Sequence, residues 1–433
     1  VAEEWWAPYT ADQPHLMFSV SKAFTSTAIG LAVSEGKLDL DEPVLNAFPS
    51  YGSPRIRRIM GEVRVRHLLS MASGQVTDTM QLMRNLPEHD WVEIFLSVAP
   101  EYPPGTHFLY NSGASHVLSA IVQSRTGQTV HDYLTPRLFE PLGIPDPFVE
   151  SSPRGINLGG SGFRLRTEDL AALGQLYLRR GEWNGKQLLP EEWVDEASSN
   201  IVSTASHDHP DWKVGYGFQL WRGRHNSFRA DGAFGQFALV LPDQDAVVAL
   251  TSGSQETQKI LDAVWNHLLP ALSGEPAESP APAATRRHPE LRLPVPAQSG
   301  PRQAADFAGR TIRLEHNVLG LTDLTVRDDG DALTVVAHDI DGAEHAVRCG
   351  RSEWVSAETA VWSHEDPPSS PLTVAGLVAD ERADAVTLLW QFVQTPFRWT
   401  ITIKKVDEGS AELTTELNLS FRQGRNETVQ GSF

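Results

Sequence analysis

A serine and a lysine three residues apart, Ser19 and Lys22, stand at the head of a run that reads as one helix to about Glu35. Residues so spaced share a helix face, so hydroxyl and amine lie one turn apart. A serine in a first turn also meets free N–H groups and the positive end of the helix dipole, which favour negative charge on an oxygen. A lysine on that face takes the serine proton if burial or a second cation keeps its amine neutral. The pair therefore offers nucleophilic attack on a carbonyl. From Ala23 to Val33 the residues are small or apolar nearly all round, which predicts a buried helix. A lysine at the mouth of a buried helix needs a reason. Gly36 is placed to cap the helix, and Leu38-Asp39-Leu40-Asp41 opens a loop.

The run from Phe18 to Pro43 resembles the serine β-lactamase and penicillin-binding-protein superfamily, nearest to the class C β-lactamases and the family VIII type of esterase. Ser19-Val20-Ser21-Lys22 is its S-x-x-K motif. Arg66 to Gly74 matches a further landmark, a short helix ending at a glycine, and Leu138 to Ile144 matches another. His67 lies in the first of these and reads as a histidine packed under a helix, since nothing pairs it with Ser19. The Pro103–Thr106 turn leads to Tyr110-Asn111-Ser112, where the family has Y-x-N. A phenol beside a lysine ionises or relays protons more readily, so Tyr110 is the candidate base, or the proton donor to the leaving group. Ser112 replaces the family asparagine, with Asn111 beside it; both are expected at the substrate.

The third motif, usually K-T-G or H-x-G, aligns with Ala230-Asp231-Gly232, also expected at the substrate. Gly232 is kept, but the cation that normally binds a substrate carboxylate is absent; Arg229 and His225 are the nearby candidates to replace it. The resemblance implies an oxyanion hole from the backbone N–H groups of Ser19 and Ala233. It implies no metal or organic cofactor. His207-Asp208-His209-Pro210-Asp211 has metal-ligand residue types, but an extended loop with a proline cannot turn them all to one ion, so a solvated loop is expected.

The elements that must position these groups follow from the resemblance: an antiparallel sheet flanked by helices, α/β in class, with a largely helical subdomain, over residues 1–272. Val1–Trp6 looks like part of a strand, and Ser19 comes early for the elements usually ahead of it. Thr167 is expected to cap a helix over Glu168–Arg180 that Gly181 ends, and the glycines at 159, 160 and 162 suggest backbone passing close to something. Gly215–Trp221 alternates like a strand, and Phe228–Thr251 reads as an antiparallel meander turning at Pro242–Asp245. Gln258–Leu272 is the closing helix. Residues 273–304 form a linker, with seven prolines between Glu275 and Pro301. From 305 to 433, short strands at Leu333–Ala337, Val386–Trp390 and Trp399–Ile403 with Asp-Gly turns predict an all-β barrel or sandwich, lipocalin-like by analogy.

The formal net charge of −19 argues against nucleic acid or an anionic membrane surface as partner. One cysteine, Cys349, leaves no internal disulfide, and no apolar run reaches transmembrane length. With no basic, apolar leader at Val1–Trp6, a cytoplasmic setting is favoured, and the oligomeric state is left open. Three functions compete. The first is a serine hydrolase of small esters, amides or peptides. The second is a β-lactamase, D,D-carboxypeptidase or D-aminopeptidase type of penicillin-binding protein. The third is a non-catalytic binding protein on the same fold. The missing cation favours the first, because β-lactams and D-alanyl peptides carry a carboxylate, and a binder has no need of Ser19, Lys22 and Tyr110 together.

Overall fold

In the computed structural model the chain is described over residues 2–274, 291–295, 300–317, 319–360, 372–421 and 426–433. It divides into two units, Pro14–Pro276 and Val1–Gln13 with Ala277–Phe433. The first begins with strand β1 (His15–Leu16), a tight turn over Phe18–Val20, and helix α1 (Ser21–Ser34). Every α1 residue from Ser21 to Ala32 is buried, as its small, apolar sequence requires. Gly36 takes a left-handed φ of 68° just past it. Helix α2 (Ser112–Thr126) packs against α1, starts at the Asn111 cap and ends at left-handed Gly127. Strands β2 (Phe148–Val149) and β3 (Phe163–Leu165) follow, and β3 lies between β1 and β2.

Helix α3 (Thr167–Leu178) covers one face of a four-stranded antiparallel meander. Its strands are β4 (Trp221–Arg222), β5 (Phe228–Gly232), β6 (Gln236–Leu241) and β7 (Ala246–Leu250), in that order. Val247 of β7 packs so closely on Gly174 of α3 that a Cβ there would sit 2.6 Å from a valine methyl. The chain is then helical from Thr257 to Leu272, with a widened turn over Val264–Leu268.

Three local expectations are corrected. Ala2–Trp6 forms no strand, and Val1–Gln13 groups with the second unit, where Ala7 N–H donates to Leu291 O (3.0 Å) and Tyr9 O–H to Thr395 O (3.1 Å). Gly215–Trp221 is not a continuous strand. Gln219, at a left-handed φ of 61°, breaks it and sends its side-chain amide to Leu68 O (3.1 Å) and Leu69 O (2.8 Å). Thr167 does not cap α3: its hydroxyl pairs with Thr251 (2.9 Å), while Asp169 accepts from the Arg166 backbone N–H (2.8 Å).

Among the described residues the second unit is a sheet of ten strands, antiparallel except at one parallel pairing. In chain order they are β8 (Thr311–Leu314), β9 (Leu321–Asp328), β10 (Ala332–Asp339), β11 (Glu344–Gly350), β12 (Val355–Thr359), β13 (Leu372–Arg382), β14 (Ala385–Phe392), β15 (Arg398–Lys405), β16 (Ser410–Leu417) and β17 (Asn426–Ser432). First and last strands pair, and β11 meets β13 at Gly350 and Leu377, which closes the sheet. An all-β unit was legible in the short alternating runs. Most of the Pro-rich linker lies outside the described residues.

One buried group sets an expectation for stability. His116 of α2 is wholly buried, edge-on to Trp91 at 5.3 Å. Burial pulls its imidazole down to about 4, against an opposing pull from Asp90. The unfolded chain binds a proton at about 6.5 that the fold excludes, so stability holds above that pH and falls as pH drops towards 4. The loss amounts to about 3 kcal/mol over that window. Urea unfolding between pH 7 and pH 4 is expected to show this slope, and His116→Gln to flatten it. An unchanged slope would contradict the assignment.

Candidate active site

Ser19 sits in the tight turn before α1, half-buried, preceded by Phe18 at a left-handed φ of 46°. Such a backbone is strained for a bulky residue and persists only where its surroundings hold it. Two contacts hold it here. The Phe18 ring meets Phe234 edge-on at 5.4 Å, and Met17 N–H donates to Phe163 O of β3 (2.9 Å). Gly232 explains why the third motif keeps a glycine: a Cβ there would lie 2.4 Å from Met17 O. The Ser19 turn and the Ala233–Phe234 turn are thus brought together through the Phe18–Phe234 contact.

Lys22 is 1% exposed, and its Nζ has three oxygen partners. They are Ser19 Oγ at 2.9 Å, Ser112 Oγ at 3.2 Å and Gly160 O at 2.8 Å. Burial pulls its ammonium down to about 7; Asp78 and Asp231 pull it back up, and Arg84 adds to the lowering. A buried amine brought down to about 7 is a usable base for the adjacent hydroxyl. Tyr110 is hydrogen-bonded to Ser19, and its ring lies 4.8 Å under Lys22 Nζ and stacks on Trp221 at 5.7 Å. Burial pushes its phenol well above the usual range, more than the Ser19 bond lowers it, and Asp231 and Asp78 push it further. The phenol is therefore held protonated at neutral pH, which favours the proton donor among the two roles the sequence left open.

Ser112 replaces the family asparagine at the lysine, through its hydroxyl. Asn111 turns away from the site. Its Oδ1 accepts from Thr79 Oγ1 (2.9 Å) and the backbone N–H groups of Thr79 (3.1 Å), Gly113 (3.0 Å) and Ala114 (3.3 Å). Its amide donates to Gln75 Oε1 (2.9 Å) and Thr77 O (3.4 Å). With these bonds filled, Asn111 caps α2 and staples a loop, and the expectation that it binds substrate is corrected. Ala230 also faces away, into the core cluster shared by α1 and α3. Asp231 faces the other side, with Oδ2 bonded to Arg229 Nε at 2.8 Å.

Neither candidate replaces the missing cation openly. Arg229 is fully buried, stacked 4.5 Å from Trp212, with Nη1 on Asp211 O (3.0 Å). His225 lies in the turn before β5, against Trp265 at 5.0 Å. His67 accepts at Nδ1 from the Arg64 N–H (3.1 Å) and belongs to a helix start. The His207–Asp211 segment forms no metal site among the described residues. It is not simply solvated either. Asp211 is wholly buried and accepts from Arg224 Nη2 (2.7 Å), Gln258 Nε2 (2.6 Å) and Trp265 Nε1 (3.0 Å).

Sequence reasoning missed two groups. Gly160 supplies a carbonyl to Lys22, and only the glycine run at 159–162 hinted at it: a Cβ on Gly160 would lie 3.4 Å from Lys22 Nζ. Asp78 accepts from the Ser112 N–H (2.9 Å), and nothing in its local sequence marks it.

A family model described as Beta-lactamase matches residues 1–269. The 6-aminohexanoate-dimer hydrolase of Paenarthrobacter ureafaciens is 24% identical over 209 residues, 45% of this chain and 53% of the hydrolase, so the match spans about half of that relative's length. Penicillin-binding protein 4 of Amycolatopsis lactamdurans is 26% identical over 339 residues, 69% of this chain and 84% of that protein. A solved structure of a putative 6-aminohexanoate-dimer hydrolase from Bacillus anthracis superposes with a TM-score of 0.53 at 21% identity. It covers 62% of this chain and 76% of its own, a likeness of fold. No helix among the described residues is long and apolar enough to cross a membrane.

Proposed function

The chain belongs to the Beta-lactamase family, and from that premise we propose that it is a serine hydrolase cleaving an ester or amide through an acyl-enzyme on Ser19. The observation that carries the reading is the buried Lys22 amine 2.9 Å from Ser19 Oγ. Lys22, its ammonium brought down to about 7 by burial, removes the Ser19 proton in its neutral form as the oxygen attacks the carbonyl. The backbone N–H groups of Ser19 and Ala233 stabilise the oxyanion; one such donor is worth about 2.7–4 kcal/mol. Tyr110, protonated and bonded to Ser19, delivers a proton to the leaving group. Ser112 and Gly160 hold the Lys22 amine in line. The Lys22 ammonium then resets the Tyr110 phenol by giving up its proton, and neutral Lys22 takes a proton from the water that attacks the acyl-enzyme and returns it to the departing Ser19 oxygen. Each step uses this chain's own residues and needs no cofactor, and the substrate is a small ester, amide or peptide.

The test compares wild type with Ser19→Ala on p-nitrophenyl butyrate. Turnover by wild type and its loss in Ser19→Ala support the reading. Equal rates for both folded proteins contradict it. A penicillin-binding or β-lactamase activity is the second reading, supported by the relative named penicillin-binding protein 4, and rapid acylation by benzylpenicillin would favour it.

A further inference from the structure

Asp231 stands in the third motif in the strand that runs into Ala233, and it is a carboxylate. Its ion pair with Arg229 has a direction. The Arg229 side chain is 0% exposed, sealed over Trp212, with Nε on Asp231 and Nη1 on Asp211 O. The Asp231 side chain is 11% exposed. An incoming group therefore meets the carboxylate, with the guanidinium behind it. The next residue, Gly232, lies against Met17 O beside the Ser19 turn, which puts Asp231 on the strand that borders the reacting groups, and its charge pulls Lys22, Tyr110 and Tyr216 upward. Asp78, on the Ser112 side, acts on Lys22 with the same sign. The surrounding wall is aromatic: Trp212 bonds Asp231, and Tyr216 and Tyr110 pack on Trp221 at 4.9 and 5.7 Å. A carboxylate set among aromatic rings favours an ammonium group and opposes an anion.

We infer that Asp231 sets the charge preference of the site, accepting substrates with an ammonium group near the scissile ester or amide and turning away those with a carboxylate. This rests on the hydrolase reading above and names its substrate class.

The test uses two matched sets, so that the charge is tried on either side of the scissile bond. On the acyl side these are the p-nitroanilides of butyric, 4-aminobutyric and succinic acids. On the leaving side they are the butyrate esters of 3,3-dimethylbutanol, choline and 3-hydroxypropionate. In at least one set, kcat/KM for the ammonium member is expected to exceed that for the carboxylate member by tenfold or more. Asp231→Asn is expected to bring that ratio close to one. Because this leaves Arg229 buried without its partner, the double variant Arg229→Gln/Asp231→Asn is measured beside it, with the same collapse expected. Turnover of the neutral members without charge preference, or a ratio unmoved in both variants, overturns the inference and leaves the hydrolase standing. No turnover of any member by wild type beyond Ser19→Ala overturns both.

Discussion

Lys22→Met is expected to lower kcat/KM by about 10²–10⁴-fold while the protein stays folded, the range typical of a lost general base. Methionine fills the same buried channel and keeps the contact with the Tyr110 ring, but it cannot accept the Ser19 proton. The wild-type pH profile carries the same signature. Lys22 titrates at about 7 in the fold, so its working neutral form is lost as pH falls below that value. The rate is then expected to drop tenfold per pH unit on the acid side and to level off above about 8. An acid limb centred near 4 would assign the base to a carboxylate instead. Tyr110→Phe separates the two roles: with the phenol protonated throughout this range, its loss lowers the rate without moving the limb.

The largest expected loss of stability is at Asp211. Asp211→Ala removes a fully buried carboxylate and strips partners from Arg224, Gln258 and Trp265 together. Burial alone would raise this carboxyl, yet those hydrogen bonds outweigh it and hold it at about 2. Breaking a buried pair costs about 3–5 kcal/mol; Arg224 keeps 37% of its side chain in water, so the lower end, about 3 kcal/mol, is expected. A lowered urea midpoint followed by tryptophan fluorescence measures it. A shift below a third of that figure would show the network to be dispensable. The damage should also reach the site through the loop backbone, since the Asp211 carbonyl, which the alanine keeps, holds Arg229 Nη1, and Arg229 holds Asp231.

That network shows where sequence reading stops. His207–Asp211 looks solvated because polarity and proline are local signals, while the partners of Asp211 stand 13 to 54 residues away. Gly215–Trp221 alternates like a strand, but Gln219 gives up strand geometry to bond Leu68 and Leu69, a tertiary demand that no alternation reveals. Asn111 reads equally well as a ligand or a cap, and four bonds to Oδ1 decide for the cap. The legible parts are those written in short-range chemistry. Ser19 and Lys22 are one turn apart, α1 is small and apolar all round, and Gly36 and Gly127 stop their helices. Gly232 is legible for the same reason, since only a glycine lets β5 pass Met17 O. The protonation order of Lys22 and Tyr110 was not legible, because both shifts come from burial.

Acylation of Ser19 is the step on which the proposed hydrolysis depends. Intact-protein mass spectrometry after rapid acid quench from p-nitrophenyl butyrate tests it most directly. A butyryl adduct is expected on wild type, mapped by peptide analysis to Ser19 and absent from Ser19→Ala. An adduct on another residue, or turnover that survives in Ser19→Ala, would contradict it.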